Sequence, residues 1–175
     1  MWNIIVLGDS MAGKSTLIMK ITNTFGSVSL SSYAATVAKD THFLSVNNTE
    51  IPIHDTSGLE RWRELCTPYY EHANLAVIVF NAAEENGFET VNFWREKFRE
   101  ENKHAPILVV GNKIDLVKEL KREKDVIYTS CLHDSTITTL ATTLVEYIPE
   151  ETFSKISYWA EVGSEYFSRL PRRCW

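Results

Sequence analysis

Cysteine is scarce in this 175-residue chain: Cys66, Cys131 and Cys174 are the only three. They form no C-x-x-C pair and no Cys/His metal spacing, which argues against a disulfide framework and for free thiols in a reducing, cytoplasmic setting. Basic charge is in deficit as well, with 18 Lys and Arg against 23 Asp and Glu and a formal net charge of −5. A general nucleic-acid binder needs clustered cations on its phosphates, so no nucleic-acid partner is expected. Long apolar runs are missing. Stretches such as residues 75–80 are far too short to span a bilayer, and Met1-Trp2-Asn3 runs straight into Ile4-Ile5-Val6-Leu7 with no signal-peptide pattern. Internal repeats and low-complexity linkers are absent too. What remains is ordinary: 44% apolar and 23% charged residues. That composition fits one globular domain with a real core, and neither a disordered chain nor a coiled coil.

Short β-branched runs alternate with helical patterns along the chain. Residues 4–7, 75–80, 107–110 and 126–129 read as buried strands. Residues 41–46 and 50–54 read as a hairpin around Asn47-Asn48, with Pro52 weakening the second strand because proline lacks a ladder donor. Residues 15–24, 88–101 and 137–148 carry helical spacing, the second through Phe88, Val91, Trp94 or Arg95, and Phe98. Pro149 stops the third. Alternation of this kind predicts an α/β fold, a mostly parallel sheet with helices on both faces.

Gly8-Asp9-Ser10-Met11-Ala12-Gly13-Lys14-Ser15 fits G-x-x-x-x-G-K-[ST], directly after a predicted strand and before a predicted helix. Glycines let the backbone wrap phosphate oxygens, successive N–H groups point inward, and the helix N-terminus adds partial positive charge. Lys14 supplies a point charge to the outer phosphates, and the Ser15 hydroxyl can ligate Mg²⁺. Met11 places a long side chain in the loop, which is expected to narrow access to the γ-phosphate.

A phosphate loop does not choose the base; Asn112-Lys113-Ile114-Asp115 does. A carboxylate accepts two N–H bonds from guanine, and adenine has no such donor pair, so Asp115 selects guanine. Asn112 can tie this loop to the phosphate loop, and the Lys113 stem can cover the base. Between the two lies His54-Asp55-Thr56-Ser57-Gly58-Leu59-Glu60. Asp55 is placed to hold Mg²⁺ through water, Thr36 offers a hydroxyl to the same metal, and the Gly58 N–H is placed to sense the γ-phosphate. His54 reads as a partly buried strand residue with no chemical role.

These motifs stand together with Thr36-Val-Ala-Lys-Asp40, Leu59-Glu-Arg-Trp-Arg63, Pro68-Tyr-Tyr70 and Thr129-Ser130-Cys131 in an order that covers residues 3–148. In that order the chain resembles a Ras-superfamily small GTPase, and is most similar to the Rab family. The resemblance implies a six-stranded P-loop G domain over residues 1–149, a GTP/GDP switch of vesicle and membrane trafficking, and Mg²⁺ as cofactor. It implies a GTP-binding set of Gly8, Asp9, Ser10, Met11, Ala12, Gly13, Lys14, Ser15, Thr16, Tyr33, Thr36, Gly58, Asn112, Lys113, Asp115, Ser130, Cys131 and Leu132. The last three present backbone groups to the base. Ser15, Thr36 and Asp55 are the implied metal set, and Lys14, Thr36 and Gly58 the implied catalytic set. Effector, exchange and activating proteins are implied at residues 30–43 and 56–73.

Three departures from that family pattern set further expectations. Leu59 stands where the family usually has the glutamine that orients the attacking water. Leucine can do neither half of a hydrogen bond, so slow intrinsic hydrolysis is expected, unless an activating protein supplies a glutamine in trans. The alternative is a GTP-locked or pseudo-GTPase binding module that recruits effectors or titrates regulators. The stretch between Asn112 and Ser130 is short, leaving room for a helix of about two turns over residues 117–124 where the family has a longer one. Residues 25–35 form a slightly long stretch before Thr36 in which the family's guanine-covering aromatic is out of register, so either Phe25 covers the base or no residue does.

Residues 150–175 carry Phe153, Ile156, Trp159, Val162, Tyr166 or Phe167, and Leu170 at near-helical spacing, which predicts an amphipathic helix with an aromatic face. It can pack on the domain itself, meet a partner, or lie on a membrane surface. Arg173-Cys174-Trp175 is neither a C-a-a-X box nor a double cysteine, so any membrane association is expected without standard prenylation.

Overall fold

The run Ile4–Leu7 is apolar at every position, as a strand covered on both faces requires, and it forms the centre of the sheet as β1. The computed structural model describes residues 2–24, 39–47, 49–58, 66–120 and 122–153. From β1 the chain passes through α1 (Lys14–Thr24) to an antiparallel hairpin, β2 (Lys39–Val46) and β3 (Thr49–Thr56). It continues as β4 (Leu75–Asn81), α2 (Gly87–Glu101), β5 (Ile107–Asn112), β6 (Val126–Tyr128) and α3 (Asp134–Glu146). The six strands lie in the order β2-β3-β1-β4-β5-β6, all parallel except β2 against β3.

Side chains of a strand alternate faces, so the sheet has two cores. Ile4, Val6, Leu44, Ile51, Ile53, Val77, Val79 and Val110 pack with Leu17, Ile18 and Ile21 of α1 and with Ile137, Leu140 and Leu144 of α3. Ile5, Leu7, Ala76, Ile78, Phe80 and Val109 pack on the other face with Val91, Trp94 and Phe98 of α2. Of the two candidates at that point of α2, Trp94 is buried while Phe88 and Arg95 face outward. Burying an aromatic of this size contributes roughly 2–3 kcal/mol.

Pro52 is a buried residue inside β3, opposite Phe43. The fold tolerates it because the β1 ladder begins at Ile53, so β3 is paired on one side only at that point. Asn47 turns the hairpin with a left-handed φ of 49°, a conformation asparagine adopts more readily than most residues.

The crossover between β5 and β6 corrects one expectation. The short helical turn is 3₁₀ and lies earlier, at Ile114–Leu116, and the described residues of 117–124 form no helix. Val117 is already extended, and Leu120 is the apolar residue of that stretch that reaches the core. One anchor is too few to hold an amphipathic face. Helix α3 likewise starts earlier than its apolar periodicity, at Asp134, and ends at Glu146, before Ile148. In the tail, Glu150–Thr152 form a 3₁₀ turn and Phe153 packs against the α1–α3 core, so no α-helix starts at residue 150. The remainder of the predicted tail helix lies outside the described residues.

Candidate functional site

The carboxyl ends of β1, β3 and β5 converge on the loop between β1 and α1. Gly8 leaves β1 at φ 140°, and a Cβ there would lie 2.0 Å from the Val79 carbonyl oxygen. Only glycine can take that path. Gly13 has φ 92°, and a Cβ there would fall 2.4 Å from Asn112 Nδ2. The second glycine is therefore what lets the β5 loop approach. Asn112 Nδ2 uses that approach to donate to the Ala12 carbonyl at 2.9 Å, the tie expected between the two loops.

Lys14 is buried to 6% exposure and its ammonium donates to the carbonyls of Gly8 and Asp9, both at 2.9 Å. Burial pushes its pKa below the usual lysine value, against the pull of Asp55 and Asp9. An ammonium has three donors, and two serve to hold the loop's own backbone in shape. Ser10 is exposed at the loop crest, and Thr16 lies in the first turn of α1. Met11 has a left-handed φ of 65° and is 84% exposed, so its side chain stands in solvent at the loop rim.

Asp55, at the end of β3, is buried and accepts a hydrogen bond from the Ser15 hydroxyl through Oδ2. Gly58 lies directly against the loop, where a Cβ would be 2.2 Å from the Ser10 nitrogen. A hydroxyl and a buried carboxylate are hard oxygen donors and fit Mg²⁺. Among the described residues no group of three His, Cys, Asp or Glu could hold a metal by itself. Any cation at Ser15 and Asp55 would therefore need further oxygens, as phosphates and water provide. Tyr33, Thr36, Leu59 and Phe25 lie outside the described residues.

The second loop is organised around Asp115. Its Oδ1 accepts the Ser130 hydroxyl, and the Ser130 oxygen in turn accepts the Leu132 N–H at 3.1 Å. Ser130 N–H donates to Thr136 Oγ1 at 3.1 Å, while the Cys131 N–H is unspent among the described residues. The Cys131 thiol reaches Asn112 Oδ1 at 3.8 Å, and burial pushes its pKa up, so it stays a thiol. Leu132 is 75% exposed. Lys113 adopts φ 63°, and its stem passes over Gly13, with Cε 4.0 Å from where a Cβ would be. A left-handed lysine costs on the order of 1 kcal/mol, and the cost is met at the point where the two loops meet.

The same arrangement contains two residues that the motifs do not announce. The Asp9 carboxylate accepts from Trp94 Nε1 at 2.8 Å and from Thr90 Oγ1 at 3.0 Å. Helix α2 thereby grips the phosphate loop from the side. The available signal was Trp94 itself: a buried indole N–H needs an acceptor, and Thr90 lies one helical turn before it on the same face.

With this geometry in place, the chain can be set beside known proteins. The family model described as Ras family matches residues 3–143. The chain belongs to the Ras family. Within it the similarity runs to Rab-type members. The chain is 36% identical over 116 residues to the Ras-related protein Rab-11B of Dictyostelium discoideum, covering 65% of this chain and 52% of the relative. It is 34% identical over 119 residues to the GTP-binding protein ypt3 of Schizosaccharomyces pombe, covering 67% and 56%. It is 33% identical over 120 residues to a Ras and EF-hand domain-containing protein homolog of Caenorhabditis briggsae, covering 66% of this chain and 18% of the relative. The aligned part thus spans little more than half of the first two relatives and under a fifth of the third. The six-stranded, mostly parallel sheet with its phosphate loop after β1 is the fold expected of a Ras-family chain.

Proposed function

We propose that this Ras-family chain is a GTP- and Mg²⁺-binding molecular switch of Rab type, acting in membrane trafficking, with residues 1–149 as the switch and 150–175 as an appended tail. The observation that carries this reading is the bond from Asn112 to Ala12, which joins the phosphate loop and the Asp115 loop into one frame. A nucleotide spanning that frame has its phosphates on residues 8–16 and its guanine on Asn112, Lys113 and Asp115. Ser130 orients the Asp115 carboxylate, leaving its other oxygen for the guanine donors. The Cys131 N–H is the one backbone donor of residues 130–132 still available to the base.

Lys14 holds the loop with two donors and turns the third toward the outer phosphates. Bound Mg²⁺ would neutralise phosphate charge from Ser15 and Asp55, with Thr36 as a further ligand. Gly58 lies close enough to the loop for its N–H to meet a γ-phosphate that seats there. Leu59 gives the water attacking that phosphate no hydrogen-bonding guide. The chain is therefore a slow GTPase that depends on an activating protein, and residues 30–43 and 56–73 receive effectors and regulators. The tail adds a route to peripheral membrane contact; no helix among the described residues is long and apolar enough to cross a membrane.

Isothermal titration of the full chain with GDP, GTP and ATP, with and without Mg²⁺, tests the binding reading. Guanine nucleotides bind and ATP does not; equal affinity for ATP defeats the assignment to Asp115. Single-turnover hydrolysis then compares the chain with Leu59→Gln. The variant is expected to hydrolyse about 100-fold faster or more, the lower end of the range for a positioned group handling a proton in the transition state. Equal rates would remove Leu59 from the account.

A further inference from the structure

The β2–β3 hairpin carries a cluster that the nucleotide site does not use. Antiparallel register sets Thr41 opposite His54 and Phe43 opposite Pro52, so Lys39, Thr41, Phe43 and His54 share one face. That face continues the side of the sheet on which α2 packs, because His54 pairs with Ile5 of the α2 core. Helix α2 covers the β1 and β4 strands there. Among the described residues, Tyr69 is what reaches the hairpin. Its ring lies 5.7 Å from the His54 ring, and the Lys39 ammonium sits 3.9 Å from its centroid.

The polar chemistry of this cluster is one-sided. His54 Nδ1 lies 3.4 Å from Lys39 Nζ and 3.2 Å from Thr41 Oγ1. An ammonium can only donate, so Nδ1 is the acceptor and the ring proton sits on Nε2. Burial and the Lys39 charge both lower the His54 pKa, which agrees with a neutral ring. Lys39 and the His54 Nε2–H are thus donors beside two partly exposed aromatics, Tyr69 at 39% and Phe43 at 45%. Among the described residues no carboxylate lies within ion-pair distance of Lys39. Asp40 pairs with His42 on the opposite face, and Glu50 sits at the far end of the hairpin opposite Ser45.

We propose that the Lys39–His54–Tyr69 notch docks a protein partner through an aspartate or glutamate side chain, with an adjacent apolar residue of the partner laid against Tyr69 and Phe43. Charge complementarity selects this occupant: the notch offers a cation and two flat apolar surfaces, and among the described residues no carboxylate is paired with that cation. A desolvated carboxylate there gains a charge-assisted bond to Lys39 and a second donor in His54. The proposal deepens the switch reading by naming the chemistry of its partner. It rests on that reading, because Lys39, Phe43 and Tyr69 lie within the residues 30–43 and 56–73 proposed there to receive effectors and regulators, and because one nucleotide state is expected to bind more tightly.

The test is selection from a random peptide display library on the full chain, loaded in parallel with GDP and with a non-hydrolysable GTP analogue. Peptides placing Asp or Glu next to Leu, Phe or Tyr are expected to be enriched. A synthesised winner should lose about fivefold in affinity on Lys39→Met, the scale of one accessible ion pair, and more on Lys39→Glu. Changing its acid to the amide should cost the same, with no further loss when combined with Lys39→Met. That cycle stands even if Lys39→Glu fails to fold. Enrichment without acidic residues, an acid-bearing peptide indifferent to Lys39, or binding of phosphatidylserine vesicles in place of peptides overturns the proposal. So does self-association of the chain that Lys39→Glu abolishes. Equal enrichment in both nucleotide states counts against the switch and leaves the notch intact.

Discussion

The nucleotide end of the sheet and the face of its edge hairpin use similar residues to opposite ends. At the nucleotide end, polar side chains are bonded across loops: Asn112 to Ala12, Lys14 to Gly8 and Asp9, Asp9 to Thr90 and Trp94, Asp115 to Ser130. On the hairpin, Lys39, Thr41, His54 and Tyr69 touch one another, and among the described residues no side-chain hydrogen bond ties them to the phosphate or Asp115 loop. The first arrangement fixes a shape before any ligand arrives, which lowers the ordering cost of binding. The second leaves donors and aromatic surface facing outward. Cross-loop bonds are thus concentrated at the phosphate loop, where position decides chemistry, while the hairpin's bonds stay within its own cluster.

The largest break in this contrast should come from Lys14→Met, which keeps the stem and removes the charge. Phosphate affinity should fall about 100-fold or more, the loss expected for charge-assisted bonds, read by titration with a fluorescent guanine nucleotide. A change of only a few fold would mean that Lys14 serves the loop's shape and not the ligand. Next is Asp9→Ala, which strands the Trp94 N–H and the Thr90 hydroxyl in a partly buried site. Urea unfolding should lose about 1–3 kcal/mol, and Asp9→Asn, which keeps one acceptor, should lose less. Equal stability for both variants would show that α2 does not grip the loop.

The smallest effect belongs to the hairpin and sharpens the comparison through pH. Burial first, and Lys39 second, lower the His54 pKa in the folded chain below its unfolded value near 6.5. The folded state then binds fewer protons than the unfolded one, so stability rises with pH through this window. It is full above about pH 6.5 and declines as the pH falls toward the lowered folded value. Thermal melts at pH 7.5 and 5.5 should differ by slightly more for the unsubstituted chain than for His54→Phe, which keeps the ring against Tyr69. An identical pH dependence would make His54 a solvated surface residue.

Most of the strand and helix positions were legible because their apolar residues recur with clear periods. The phosphate loop and its tie to the Asn112–Asp115 loop were legible because their motifs tolerate few residue types. Three things were not. The described residues of 117–124 do not form the expected helix, because one core contact at Leu120 cannot hold it. Residues 50–54 read as a strand despite Pro52, but the register that starts the β1 ladder at Ile53 and so accommodates the proline was not legible. The hold of Thr90 and Trp94 on Asp9 joins residues far apart in sequence, and no local pattern records such a pairing.

The strand–helix order and the phosphate loop follow from the amino-acid sequence alone, as do the presence of the Asn112-Lys113-Ile114-Asp115 motif and of Leu59. Each depends on residues adjacent in the chain, where steric and hydrogen-bonding rules act locally. Only the tertiary structure decided that Asn112 closes on Ala12 across Gly13, that Trp94 and not Arg95 turns inward to hold Asp9, and that Lys39 meets Tyr69 beside His54. Those contacts form when the sheet brings distant segments together and buried polar groups must find partners there or stay in water.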